Sequence, residues 1–210
     1  MIQTTSMLLT QLQDYANPNT KLARLVKAGN YYPIVNGLYE TEKDTPGYLL
    51  AGSIYGPSYL SFDFALAYHG LIPEMVFTFT SATFEKKKKK MFQTPFGYFT
   101  YRDVPASVYP LGICLKREGS YAFQIAAPEK ALCDKLYTLP PVRNLSEMRQ
   151  MLTEDLRIET AALQTLHMAD LQLLQNYYHA TNVTMLVKLL KREQKEQSDA
   201  YDHRTNAADL

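Results

Sequence analysis

Met7, Leu8, Leu9, Leu12 and Tyr15 recur at helical spacing over residues 4–15, and Asn17-Pro18-Asn19 interrupts them. Thr20 is placed to cap a second helix, Lys21 to Ala28. In it Leu22, Leu25 and Val26 share one face, and Lys21, Arg24 and Lys27, three apart, share another. Gly29 closes that helix. The period then shortens: Tyr31 to Tyr39 alternate loosely around Asn36-Gly37, a two-residue hairpin signal, because both residues tolerate positive φ. Helix, break, basic-faced helix and hairpin trace the outline of a winged helix-turn-helix, whose second helix enters the major groove and whose hairpin is the wing. A solvated amphipathic helix shows the same cation spacing. Residues 1–50 carry four bases against four acids, so the pattern alone favours neither reading.

Residues 41–56 are polar and then small, with a short helix expected over Leu49 to Ile54. From Gly56 to Tyr101 the signals are dense. Ser61 is placed to cap a helix whose first turn holds Asp63 and whose face is Phe62, Ala65, Leu66 and His69. Gly70 ends that helix, Leu71 folds back toward Leu66, and Pro73 prevents continuation. The period then becomes two, with Met75, Phe77 and Phe79 alternating with Val76, Thr78 and Thr80. Phe92–Thr94 and Tyr98–Tyr101 form a hairpin around Thr94-Pro95-Phe96-Gly97. Tyr109–Leu115 and Tyr121–Ile125 read as strands joined by Lys116-Arg117-Glu118-Gly119. Pro128 starts a helix to about Tyr137, on which Lys130 and Asp134 pair at i, i+4 while Ala131, Leu132 and Leu136 face inward. Pro140-Pro141 ends it. From Ser146 the pattern is helical, closing with Val183, Leu186, Val187 and Leu190 behind an Asn182 cap, and a polar tail follows from Gln194.

Composition changes this picture little. In 210 residues, 46% hydrophobic and 20% charged content is that of an ordinary globular protein, and a net charge of +1 leaves nucleic-acid binding to a local patch. Cys114 and Cys133 lack metal-ligand spacing and read as free thiols in a reducing compartment. The N-terminus lacks the basic start and apolar core of a signal peptide, and no apolar run is long enough to span a bilayer. A cytoplasmic protein with no membrane partner is expected.

Candidate chemistry is sparse. Lys86, Lys87, Lys88, Lys89 and Lys90 lie between two expected strands, where a solvated loop is the plain reading and an anion or partner-binding loop the functional one. Glu129-Lys130 after a strand is loosely like the acidic-plus-lysine end of a metal-dependent nuclease. That chemistry needs one residue between the two and a second carboxylate, for which Asp103 is the sole strand-end candidate. His69 reads as a hydrogen-bonded core residue, and His167, His179 and His203 are scattered. There is no glycine-rich phosphate loop and no nucleophile elbow. No catalytic residue, metal or cofactor is therefore expected, and the chain does not read as an enzyme.

Three blocks, KLARLVKAGNYYPIVNGLYE, GPSYLSFDFALAYHGLIPE and IAAPEKALCDKLY, together frame about residues 20 to 138. In this order they resemble the AbiEi family of antitoxins, transcriptional regulators of bacterial type IV toxin-antitoxin systems. The resemblance implies an N-terminal winged helix-turn-helix that represses its own operon and a larger C-terminal domain that provides antitoxicity. It implies two partners, operator DNA and a cognate toxin of the nucleotidyltransferase class, with a homodimer on DNA among the assemblies it allows. Carried over, Lys21, Arg24 and Lys27 fall on the recognition helix, and Tyr31, Tyr32 and Asn36 on the wing. The front departs from the family pattern, being too short for a three-helix count. The expected protein is α+β: a winged-helix-like domain over 1–45, a mixed strand-and-helix antitoxin domain with a helical C-terminal third over 46–195, and a disordered tail over 196–210. A different class of function, a module that binds only a protein partner and keeps a vestigial DNA-binding domain, remains open.

Overall fold

The computed structural model describes the backbone of residues 1–208 and the side chains of residues 1–196, 198 and 199. Through the segment expected as a tail, 196–210, the backbone is helical as far as Ala208, and residues 209 and 210 lie outside the described residues. The protein is a mixed α+β structure built on two sheets.

The first sheet belongs to the N-terminal unit: β1 (Ile2–Thr4), α1 (Thr5–Gln11), α2 (Pro18–Lys27), β2 (Tyr32–Val35) and β3 (Leu38–Glu40). β3 lies between β1 and β2 and is antiparallel to both. The cap of α2 is Asn17, not Thr20: its Oδ1 accepts from the Thr20 amide at 3.0 Å. Pro18 then takes the first turn, where a missing N–H is harmless. Gly37, at φ +82°, makes the β2–β3 turn as its sequence foretold. Leu8, Leu12 and Leu22 form a small core beneath α1 and α2.

The second sheet runs in the order β6-β7-β5-β4-β9-β8. Its strands are β4 (Tyr59–Leu60), β5 (Thr78–Thr83), β6 (Lys90–Thr94), β7 (Gly97–Asp103), β8 (Ile113–Glu118) and β9 (Tyr121–Ala126). β5 and β7 pair in parallel, as do β4 and β9, and the remaining neighbours are antiparallel. A 3-10 turn (Gly47–Leu49) and α3 (Ala51–Ile54) lead into β4 from the first sheet, and α4 (Phe62–Tyr68) connects β4 to β5. The chain is then helical: α5 (Pro128–Tyr137), α6 (Leu145–Gln150), a π-helical turn (Met151–Asp155), α7 (Thr160–Gln164), α8 (Met168–Tyr178) and α9 (Thr181–Ala208). One continuous core joins this sheet to the helices and takes in Ile34 of β2, so the N-terminal hairpin is packed onto the larger body. No helix among the described residues is long and apolar enough to cross a membrane.

Other local expectations also differ from the structure: the strand expected over Tyr109–Leu115 begins only at Ile113, where pairing with Ala126 of β9 starts. Ser61 precedes α4 but does not cap it, because its hydroxyl donates to the buried Asp134 carboxylate at 2.6 Å. Thr80 of β5 substitutes: its Oγ1 accepts from the Phe64 amide at 3.1 Å and donates to the Ser61 carbonyl at 2.5 Å. Met75 and Phe77 lie outside any strand, 78% and 77% exposed. The partner of β5 begins only opposite Thr78, at Tyr98, so residues 75–77 have no ladder to join. The β8–β9 turn is Gly119-Ser120, since Glu118 still pairs with Tyr121. Asn182 lies inside α9, and its buried side chain serves a different segment, described below.

Candidate functional site

Three features could carry function: the cationic face of α2, the lysine loop and a buried charge cluster. In the N-terminal unit, Leu22 is the buried residue of α2, and its side chain seats the helix on α1. Arg24 and Lys27 are exposed on other faces, and Lys21 extends over the Tyr15 ring at 4.6 Å. No acidic residue lies on α2, so its three cations have no partner on their own helix. The hairpin tip, Asn36, is exposed. Tyr31 is half-buried against the small N-terminal core, and Tyr32 against the large one. The structure therefore groups the three α2 cations on one short helix and leaves Asn36 free, while the two tyrosines hold the hairpin in place.

The five lysines do not form a uniform solvated run. Glu85 and Lys87 adopt positive φ, 55° and 57°, and turn the chain sharply after β5. Asp103 pins that turn, accepting from the Thr83 hydroxyl and the Lys87 amide, each at 2.7 Å. Lys86 donates to the Gly56 carbonyl at 3.1 Å and sits 5.3 Å from the centre of the Tyr55 ring. Lys87 and Lys88 are exposed. Lys89 and Lys90 line a cavity with Arg102 and Lys135.

The third feature was only half legible. Sequence spacing pairs Lys130 with Asp134, and the structure places them 3.0 Å apart with both side chains wholly buried. Three hydroxyls complete the cluster. Tyr59 and Ser61 donate to Asp134 Oδ2 at 3.0 and 2.6 Å, and Tyr178 donates to Oδ1. Lys130 also donates to the Tyr178 hydroxyl at 2.7 Å, and its ammonium lies 5.5 and 4.8 Å from the Tyr59 and Tyr178 ring centres. Burial lowers the Lys130 pKa, and the Asp134 charge opposes that shift. Burial, followed by the charge of Asp134, raises both tyrosines far above their ordinary value, so their hydroxyls remain donors. None of the five side chains reaches solvent, since every residue in the cluster is at most 3% exposed. The cluster is a joint: it ties α5 to β4, to the start of α4 and to the end of α8. Sequence spacing finds a pair on one helix, but no local signal links Asp134 to Tyr178, 44 residues away.

The two carboxylates considered for nuclease chemistry have local partners. Glu129 Oε1 accepts from the His167 amide at 2.8 Å, at the start of α8, and Asp103 holds the lysine loop. Among the described residues, no three His, Cys, Asp or Glu side chains are grouped to hold a metal. His69 accompanies the end of α4, with Nε2 2.7 Å from the Ala126 carbonyl. Cys133 is buried and Cys114 half-buried, both as free thiols.

The chain matches no protein-family model, and comparison with curated proteins finds no match.

Proposed function

We propose that this protein is an AbiEi-type antitoxin that also represses its own operon, reading operator DNA through α2 and neutralising a nucleotidyltransferase-type toxin through its C-terminal domain. The observation that carries the reading is the α2 face, where Lys21, Arg24 and Lys27 project from a helix without an acid, seated on α1 and followed by a short antiparallel hairpin. Cations in that arrangement gain most from phosphates, because binding releases condensed counterions. The resemblance of the three sequence blocks supplies the partner and the autoregulatory role. In this reading the protein has no catalytic step, acts in the cytoplasm and engages DNA as a monomer or a homodimer.

One observation favours a second reading. Tyr31 and Tyr32 are half-buried, which leaves little of the hairpin free to touch a groove. The protein would then be a module for a protein partner with a vestigial DNA surface. A reporter fused to the protein's own upstream region, assayed beside growth rescue from the co-expressed toxin, separates the two. Lys21→Ala/Arg24→Ala/Lys27→Ala should lose repression and keep rescue. Wild type that rescues without repressing supports the second reading, and wild type that does neither overturns both.

A further inference from the structure

A cavity of about 450 Å³ opens on the face of the second sheet nearest the start of α4. That volume falls within the range of small-molecule sites, roughly 300–1,000 Å³. Its floor follows from strand alternation. Phe99 and Tyr101 of β7 are buried on one face, so Thr100 and Arg102 take the other, and Thr80 of β5 lies beside Thr100 in the parallel register. Across the antiparallel β6–β7 ladder, Met91 stands opposite Thr100, and its side chain is 73% exposed. Lys89 enters from the lysine loop and Lys135 from α5, while Lys90, opposite Tyr101 at the start of β6, borders the cavity from the sheet edge.

The charges in this cavity do not cancel. Lys135 is neutralised by Asp63 at 2.6 Å. Among the described residues Asp63 is the sole acid lining the cavity, so Lys89, Lys90 and Arg102 have no described carboxylate there. The Arg102 guanidinium lies 5.8 Å from the Phe62 ring centre, and both residues line the cavity. Asp103 pins the loop upstream by accepting from the Lys87 amide, so the approach of Lys89 is built into the fold. Two cations over, and a third beside, a floor with two threonines and an exposed methionine are matched by a ligand with two or three negative charges and an apolar ring.

We propose that this cavity binds a nucleotide, with its phosphates on Arg102 and Lys89, the Lys90 charge at its border, and its base against Met91. Arg102 forms the bidentate contact that a guanidinium makes with phosphate oxygens. This site is separate from the α2 surface and does not depend on it.

Isothermal titration of the full chain with ADP tests the proposal, with CDP, GDP and UDP as base variants and with adenosine, inorganic phosphate and a 20-mer duplex as controls. ADP should bind. Inorganic phosphate should compete weakly, and adenosine alone should give no heat. Arg102→Gln and Lys89→Gln/Lys90→Gln should each weaken ADP at least tenfold. The second variant changes only an exposed and a half-exposed side chain, so it remains informative if Arg102→Gln fails to fold. Lys21→Ala/Arg24→Ala/Lys27→Ala should bind ADP as wild type does, which separates this outcome from failure of the DNA reading. Absence of ADP binding at millimolar concentration overturns the proposal. So does a folded cavity variant of unchanged affinity, or displacement of ADP by duplex DNA in the α2 triple variant, which would assign the cations to a nucleic-acid backbone instead.

Discussion

α2 and α5 are both ten residues long, both begin with proline, and both carry lysines among aliphatic residues, yet they have opposite fates. On α2 only Leu22 is buried, and the cations face outward with no acid on the helix. On α5 seven residues are buried, among them Glu129, Lys130 and Asp134. Its two lysines are both paired, Lys130 with Asp134 and Lys135 with Asp63. Lysine content and spacing are therefore poor guides to role: the i, i+4 pair Lys130–Asp134 is buried while the i, i+4 pair Arg192–Glu196 is exposed, so packing of the helix decides between them. A cation without a carboxylate partner stays in water and keeps its charge for an external anion. A cation with one can be drawn into the core, where its removal leaves a bare charge.

The largest way to break this contrast is Asp134→Ala. It strands the Lys130 ammonium and the Tyr59, Ser61 and Tyr178 hydroxyls in the core, and breaking a buried pair in this way costs about 3–5 kcal/mol. Urea unfolding followed by circular dichroism should show that loss; a change below about 1 kcal/mol means the cluster is not the joint described. Asn182→Ala should cost less, about 1–3 kcal/mol. The Asn182 amide donates to the carbonyls of Leu136, Leu139 and Pro140 at 3.0 to 3.3 Å and accepts from the Val142 amide at 2.9 Å, so it clamps the segment between α5 and α6. The same urea experiment reads it.

A pH titration sharpens the contrast from the other side. Burial raises Tyr59, Tyr101 and Tyr178 well above their ordinary range, and it pushes Tyr48 and Tyr121 up to about 12. A folded pKa above the unfolded one means that the folded state retains protons the unfolded state releases. Stability from these groups is thus complete below pH ~10 and is lost as pH rises through the folded values. Tyrosinate absorbance and circular dichroism recorded together above pH 10 should show a fraction of the tyrosines ionising only as the chain unfolds. The smallest effect is expected for α2: Lys21→Ala/Arg24→Ala/Lys27→Ala should leave unfolding stability within about 0.5 kcal/mol per site, as exposed substitutions do.

Much of the local architecture was legible, and the reason is physical. Gly37, the Thr94–Gly97 turn, Pro128 and the return of Leu71 onto α4 are set by backbone chemistry within a few residues. The structure has each of them, the last as a 2.9 Å bond from the Leu71 amide to the Leu66 carbonyl. Ser61 and Asn182 were misread because a polar side chain near a helix end has two uses, a cap or a long-range bond, and only tertiary contacts choose between them. β1 and the true start of β5 depend on where a partner strand lies, which no short period can encode. The lysine run was visible as charge. Its division into anchored, solvated and cavity-lining residues rests on Asp103, Gly56 and Arg102, which come from other parts of the chain.

Under the proposed function, the unpaired cations of α2 serve nucleic-acid binding. The slope of log affinity against log salt tests it most directly, measured by fluorescence anisotropy on a duplex from the protein's own upstream region. Each neutralised phosphate contributes about −0.9 to that slope, so replacing Lys21, Arg24 and Lys27 with alanine should flatten it by about two to three units and weaken binding at every salt concentration. Wild type that does not bind the duplex at low salt, or a triple variant with the wild-type slope, would contradict the claim.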